Sequence, residues 1–306
     1  MNLLKRISAV LISLSCILFI FTSCKKEDSP VVSGAERTLS IPVYAKDPAI
    51  DTSLFERYKD RDPDGGNASA FAAKRIIKRE NSPLAGKTIY WLGSSVTYGS
   101  SSKGETMVEM LSELTGCIGV KEAVSGTTLF TDNGELGKMS YVNRLKNSDK
   151  FDTDKKIDAF ICQISTNDAR PECEEYFGEI TPDDQTEQNS FDIGTSLGGV
   201  EYIISYVTET WHCPVYFYAG AKFDNPPYSD LYDRLVNSVH RAAEKWNAKE
   251  GYTVGVIDMF HDEAFNGLVD EESRAFMMFD GVHPKKAGYA LWWTPYFEEY
   301  LLKNLK

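Results

Sequence analysis

The 306-residue chain carries 33 Lys and Arg against 45 Asp and Glu, with 42% hydrophobic and 25% charged residues, six cysteines and four histidines. This composition excludes a disordered, collagen-like or disulfide-framework protein, and the length suits one large α/β domain or two small ones. A formal charge of −12 argues against nucleic acid as a partner, because phosphate backbones call for a basic face.

Residues 1–23 carry Lys5 and Arg6, then an apolar run from Ile7 to Phe21 broken only by Ser8, Ser13 and Ser15, then Thr22-Ser23 before Cys24. A basic start, a short apolar stretch and small residues before a cut site are the signs of a secretory signal. The run is too short, and too soon followed by charge, for a good membrane-spanning helix. With a cysteine at the cut site, the segment resembles a bacterial lipoprotein signal, which implies lipidation of Cys24 and anchoring in membrane lipid. Phe21 departs from the Leu usual three residues before that cysteine, and a plain signal peptide with an incidental Cys is the alternative. Lys25-Lys26-Glu27-Asp28-Ser29-Pro30 resembles the tag by which Bacteroides-like bacteria send lipoproteins to the outer face of the outer membrane. Without residues 1–23 the balance is 31 basic against 45 acidic, or −14.

Residues 24–50 read as the lipidated cysteine and a tether, and 51–86 as an amino-terminal extension packing on the main domain. The extension holds the turn Asp62-Pro63-Asp64-Gly65-Gly66 and, from Ala68 to Lys78, the pattern of a short amphipathic helix. The main domain runs over 87–306. In it Lys87–Gly93, Ile118–Val124, Ile157–Ser165, Val215–Ala221 and Tyr252–Met259 are apolar runs rich in β-branched and aromatic residues, and so read as buried strands. Helical patterns follow at Glu105–Leu114, Gly199–Thr210, Ser229–Lys249 and Pro284–Leu302. Strands alternating with helices predict a three-layer α/β/α sandwich on a five-stranded parallel sheet. Ligands of such sheets bind at the carboxyl ends of the strands, so the residues there are the place to look for chemistry.

The first strand runs into Gly93-Ser94-Ser95-Val96-Thr97-Tyr98-Gly99, which places a serine on a glycine-bounded turn before a helix, as a nucleophile requires. A solvated Gly/Ser turn would give the same local pattern, and the spacing fits no phosphate loop. After the second strand, Gly126 allows backbone N–H groups close to a ligand, or is an ordinary turn glycine. After the third, Asn167 either aims its amide at an oxyanion or makes an Asx turn. Asp280-Gly281-Val282-His283-Pro284 follows the fifth strand. An acid three residues before a histidine can hold Nδ1–H and free Nε2 as a general base. The other histidines have plainer readings: His212 before Cys213-Pro214 starts a strand, His240 sits in a helix, and His261 lies in an acidic loop beside Asp262.

These four blocks, in this order over about residues 87–305, resemble the SGNH (GDSL-type) hydrolase family and its flavodoxin-like fold. The resemblance implies Ser95 as nucleophile, Asp280 and His283 as the rest of the triad, and Ser95, Gly126 and Asn167 as the oxyanion hole. Ser94 stands where the family has Asp, and Ser165 where it commonly has Gly. The implied activity is hydrolysis of carboxylic esters through an acyl-enzyme, with an acylated small molecule or glycan as partner and no cofactor. An exported lipoprotein meets extracellular polysaccharide first, which favours O-acetyl groups on glycans as substrate. Lipase, lysophospholipase or thioesterase activity are the alternatives, as is a catalytically weak glycan-binding protein, a reading motivated by Ser94 and Ser165. Trp91, Tyr98, Phe130, Trp292 and Trp293 include candidate sugar platforms, although aromatic residues beside strands and in an amphipathic helix are more often core. Cys117, Cys162, Cys173 and Cys213 form no CxxC spacing, and no HxE or paired-His spacing occurs, so no metal is expected. The four thiols allow three pairings, though Cys162, inside a strand run, reads as a small buried hydrophobe. The chain is expected to act as a monomer.

Overall fold

The computed structural model describes residues 65–305; the leader, Cys24, the tether and residues 51–64 lie outside that range. The apolar runs form strands β1 (Thr88–Gly93), β2 (Ile118–Ala123), β3 (Ala159–Gln163), β4 (Val215–Ala219) and β5 (Val254–Asp258). All pair in parallel in the order β2-β1-β3-β4-β5. Thr88 lies opposite Ile118, Ile89 opposite Ala159, and Phe160 opposite Val215. Every residue of β1, β3 and β4 is buried, because helices cover both faces, and this is why these strands read as continuous apolar runs. β2 is an edge strand, and Ile118 at its start is half exposed.

The covering helices are α1 (Ser95–Tyr98), α2 (Met107–Thr115), α3 (Tyr141–Asn147), α4 (Ser196–Trp211), α5 (Tyr228–Asn247), α6 (Glu271–Met277) and α7 (Thr294–Asn304). Lys286–Gly288 and a π-helical turn at Tyr289–Trp293 lead into α7. Thr106 starts α2 with a capping box: its hydroxyl accepts from Val108 N, and Glu109 accepts from its backbone N–H. On one face of the sheet Tyr90, Leu92, Phe160 and Phe217 pack against Val200, Ile204, Leu235 and Val239 of α4 and α5. On the other, Ile89, Trp91, Ile161 and Tyr218 meet Leu111 of α2, Trp292 of the π turn and Phe297 of α7. Side chains of this size contribute about 1.5–3 kcal/mol each by leaving water. Among the described residues no helix is long and apolar enough to cross a membrane.

Three expectations change, and the reading of Cys162 as a small buried hydrophobe holds. Ala68–Lys78 is not one helix but two 3₁₀ turns, Ser69–Phe71 and Ala73–Arg75, since Ala72 and Ile76 are extended with ψ of 150° and 136°. Tertiary bonds draw this stretch out: Asn67 Nδ2 donates to Ser101 O (2.9 Å), Ala73 N donates to Glu105 Oε2 (2.6 Å), and Phe71 is wholly buried. His212 starts no strand; it caps α4 in the left-handed region at φ +50°. Trp91, Phe130, Trp292 and Trp293 are core residues, which leaves Tyr98, half exposed, as the surviving sugar platform of the five. Cys162 is a fully buried thiol in β3, and burial pushes the Cys213 thiol up to about 12.

The chain leaves β1 to one side for β2 and returns on the other for β3. The strand order thus reverses between β1 and β3, and a crevice opens at their carboxyl ends.

Candidate active site

β1 ends at Gly93, where a Cβ would lie 1.8 Å from Thr97 Oγ1 and 2.9 Å from Gln163 Oε1, so only glycine lets the chain fold back on itself here. Gln163, the last residue of β3, holds that turn. Its Oε1 accepts from Ser94 N (3.0 Å), Thr97 N (3.1 Å) and Thr97 Oγ1 (2.9 Å). The turn delivers Ser95 to the first position of α1, where backbone N–H groups have no carbonyl partner within the helix. Ser95 is largely buried, and its Oγ lies 2.8 Å from His283 Nε2.

His283 follows α6, and its ring is fixed from the far side. Its Nδ1 lies 2.8 Å from Asp280 Oδ2 and 3.1 Å from Oδ1, while Oδ1 also accepts the backbone N–H groups of Val282 and His283, each at 2.7 Å. A carboxylate only accepts, so Nδ1 carries the proton and Nε2 presents its lone pair to Ser95. Partial burial raises the Asp280 pKa, but the hydrogen bond and charge of His283 and the two N–H donors outweigh it, and the carboxyl ends below its ordinary value.

Gly126 takes the left-handed conformation at φ +82°, with open space where a Cβ would be. Asn167 stands in a 3₁₀ turn, Thr166–Ala169, capped by Ser165, whose Oγ accepts from Asn167 N (3.2 Å). Two groups reach across from this turn to the Gly126 loop: Asn167 Nδ2 and Ser165 Oγ both donate to Thr127 O, at 2.9 and 3.1 Å. Asn167 Oδ1 accepts from Arg170 Nη2 (2.8 Å), which fixes the amide's orientation and leaves one Nδ2–H uncommitted to these bonds. The arrangement is a hydroxyl bonded to a carboxylate-held imidazole, on a turn with outward N–H groups. It can move a proton from Oγ to Nε2.

Residues 89–293 match the family model GDSL-like Lipase/Acylhydrolase. The chain belongs to this family. It is accordingly a hydrolase of ester bonds. A solved structure from Lactobacillus plantarum superposes with a TM-score of 0.50 at 15% identity, covering 73% of this chain and all of that one. A lipase/acylhydrolase from Enterococcus faecalis gives 0.44 at 19% identity, covering 72% and 97% of the two chains. A catalytic mutant of an acetylxylan esterase from Geobacillus stearothermophilus gives 0.45 at 14%, covering 70% and 94%. No curated protein matches the chain.

The two departures from the GDSL pattern have different consequences. Ser165 ties the Gly126 loop to Asn167, a link glycine lacks. Ser94 Oγ is buried beside the Tyr141 hydroxyl, where the family has Asp.

Three buried polar residues that no motif announced also shape the site. Arg144 of α3 spends its donors on Gly93 O (2.8 Å), Thr127 Oγ1 (3.0 Å), Glu122 O (3.2 Å) and Met139 O (2.8 Å), joining the ends of β1 and β2. Asp168 accepts from Leu129 N and Ser196 Oγ (2.7 Å), and burial pushes its carboxyl up to about 6 against those donors. Gln163 is the third, and a polar residue at the end of an otherwise apolar run was its visible signal.

His261 requires a correction. It has an acid three residues before it after all, Asp258, whose Oδ2 lies 2.7 Å from His261 Nδ1. Its other nitrogen faces Asp233 Oδ1 at 2.6 Å, not a hydroxyl, so this second Asp-x-x-His pair activates no nucleophile.

Proposed function

We propose that Ser95 is the nucleophile of an acetylesterase acting on O-acetylated extracellular glycans. His283 takes the Ser95 proton as Oγ attacks the acyl carbonyl, and Asp280 stabilises the imidazolium that forms. The Ser95 and Gly126 N–H groups and the Asn167 amide take the developing oxyanion. The alcohol leaves with the proton returned by His283, and water then releases acetate by the same steps in reverse order. The 2.8 Å contact between Ser95 Oγ and a carboxylate-held His283 carries this reading.

A short acyl group is supported by the pocket beside these residues. It is a small, largely apolar pocket lined by Val96, Thr166, Ala221, Phe223, Tyr232 and Val282. Val96, Thr166 and Val282 each adjoin a residue of the proposed machinery. A sugar as the alcohol is supported by two exposed aromatic rings, Tyr98 on α1 with Ser95 and Phe279 next to Asp280, exposed by 50% and 65%. The leader and Cys24 support action on the outer face of the outer membrane. NMR detection of acetate released from acetylated xylan, pectin and mucin-type glycans tests the proposal. Acetate release that Ser95→Ala removes is expected; release of long-chain fatty acids alone would overturn the acetyl assignment.

A further inference from the structure

Away from Ser95 and His283, a second group of ligating side chains converges where α5 packs on the end of β5. His240 Nε2 lies 2.8 Å from Asp258 Oδ2, and His261 Nδ1 lies 2.7 Å from the same oxygen. The three atoms all fall within 4.8 Å of one another. Asp258 is the last residue of β5, and its other oxygen accepts the His261 backbone N–H at 3.0 Å, which fixes the turn and leaves Oδ2 to face both imidazoles. Asp233 and His240 lie on one face of α5, two turns apart. Asp233 Oδ1 holds His261 Nε2 at 2.6 Å.

We propose that His240, Asp258 and His261 form a binding site for a divalent transition-metal ion of the Zn²⁺ type, supported from behind by Asp233. Two imidazole nitrogens and one carboxylate oxygen are the donor set that suits Zn²⁺, Co²⁺ or Ni²⁺ and disfavours Ca²⁺ and Mg²⁺. Ligand atoms around such an ion at about 2.1 Å stand about 3.4 Å apart, so a small outward shift of the two imidazoles from Asp258 Oδ2 admits the ion. A ligating imidazole as a rule donates its far N–H to a carboxylate, which is what Asp233 does for His261. On binding, the ion replaces the protons that His240 Nε2 and His261 Nδ1 hold toward Asp258: the His261 proton passes to solvent, and His240 either shifts its proton to Nδ1 or releases it to solvent if that nitrogen is already protonated. His240 is 42% exposed in its side chain and His261 36%, so water can complete the coordination. The site pins α5 to the loop after β5 and takes no part in the acyl chemistry, so it stands or falls independently of the proposed function.

Co²⁺ titration of the full chain, followed by visible d–d absorption, tests the site. One Co²⁺ per chain is expected, with Zn²⁺ displacing it. His240→Ala and His261→Ala each weaken binding about 100-fold, and Asp233→Asn, which alters only the far nitrogen's partner, weakens it about 10- to 100-fold. Hydrolysis of an aryl acetate stays unchanged in all three, and far-ultraviolet circular dichroism of the metal-free variants shows that they fold. Equal affinity in wild type and His240→Ala overturns the proposal. So does a wild type without absorption change at millimolar Co²⁺, since the cluster is then a metal-free ion network.

Discussion

The amide of Asn167 is shared between structure and chemistry. One Nδ2–H holds Thr127 O, Oδ1 is held by Arg170, and the remaining N–H is the one assigned to the oxyanion. Asn167→Ala should therefore lower kcat for an aryl acetate by about 10²–10³ with a smaller change in KM. Stopped-flow or steady-state assays against wild type check this, and a loss confined to KM would assign Asn167 to binding alone. At this scale the sequence pointed to Ser95, Gly126 and Asn167 as following strands β1, β2 and β3, whereas Asp280 and His283 lie beyond α6 rather than at the end of β5, and their Asp-x-x-His spacing was the legible signal. Spacing alone had less power than it promised. Asp258 and His261 repeat the Asp280–His283 spacing, and only the direction of Nε2, toward Asp233 or toward Ser95, separates the two pairs.

Between elements, the site depends on buried polar groups whose partners are distant in sequence. Arg144 satisfies the terminal carbonyls of β1 and β2 while making an ion contact with Glu122 at 3.5 Å. Arg144→Met removes the side-chain donors to Gly93 O, Glu122 O and Thr127 Oγ1, while Glu122 keeps Ser148 and Lys150, and should destabilise the fold by about 1–3 kcal/mol. Arg144→Lys should recover little, because an ammonium cannot reproduce the planar fork; urea unfolding of the three proteins compares them. Asp168 gives a pH signature. Its folded pKa of about 6 exceeds the ordinary 3.8, so the native state binds the extra proton between those values. The Asp168 contribution is then largest below about pH 4, falls as pH rises toward 6, and is flat above about 7. Relative to Asp168→Asn, wild type should lose on the order of 3 kcal/mol across that window. A difference that grows with pH would contradict the burial argument. Two-sided burial made the strands legible as apolar runs. The extension was misread because alanines suit a helix, whereas Asn67, Phe71 and Ala73 are held by Ser101, the core and Glu105, partners no local pattern reveals.

Across the whole molecule, residues 65–75 connect the two halves that carry the triad. Asn67 donates to Ser101 beyond α1 and accepts from Lys286 N after His283, while Glu105 bridges Ala73 N and Lys286 Nζ. The formal charge, −12 overall and −14 without residues 1–23, is compatible with the proposal that Cys24 anchors the chain in membrane lipid. Cys24→Ser should therefore shift the protein from the membrane fraction to the soluble exported fraction and remove incorporation of labelled palmitate. Unchanged membrane association in that variant would rule out the anchor. The central claim is that His283, oriented by Asp280, activates Ser95. Fluorophosphonate labelling with peptide mapping tests it most directly. One adduct is expected, on Ser95, lost in Ser95→Ala and strongly slowed in His283→Ala; an adduct on another residue, or equal labelling of wild type and Ser95→Ala, would overturn the assignment.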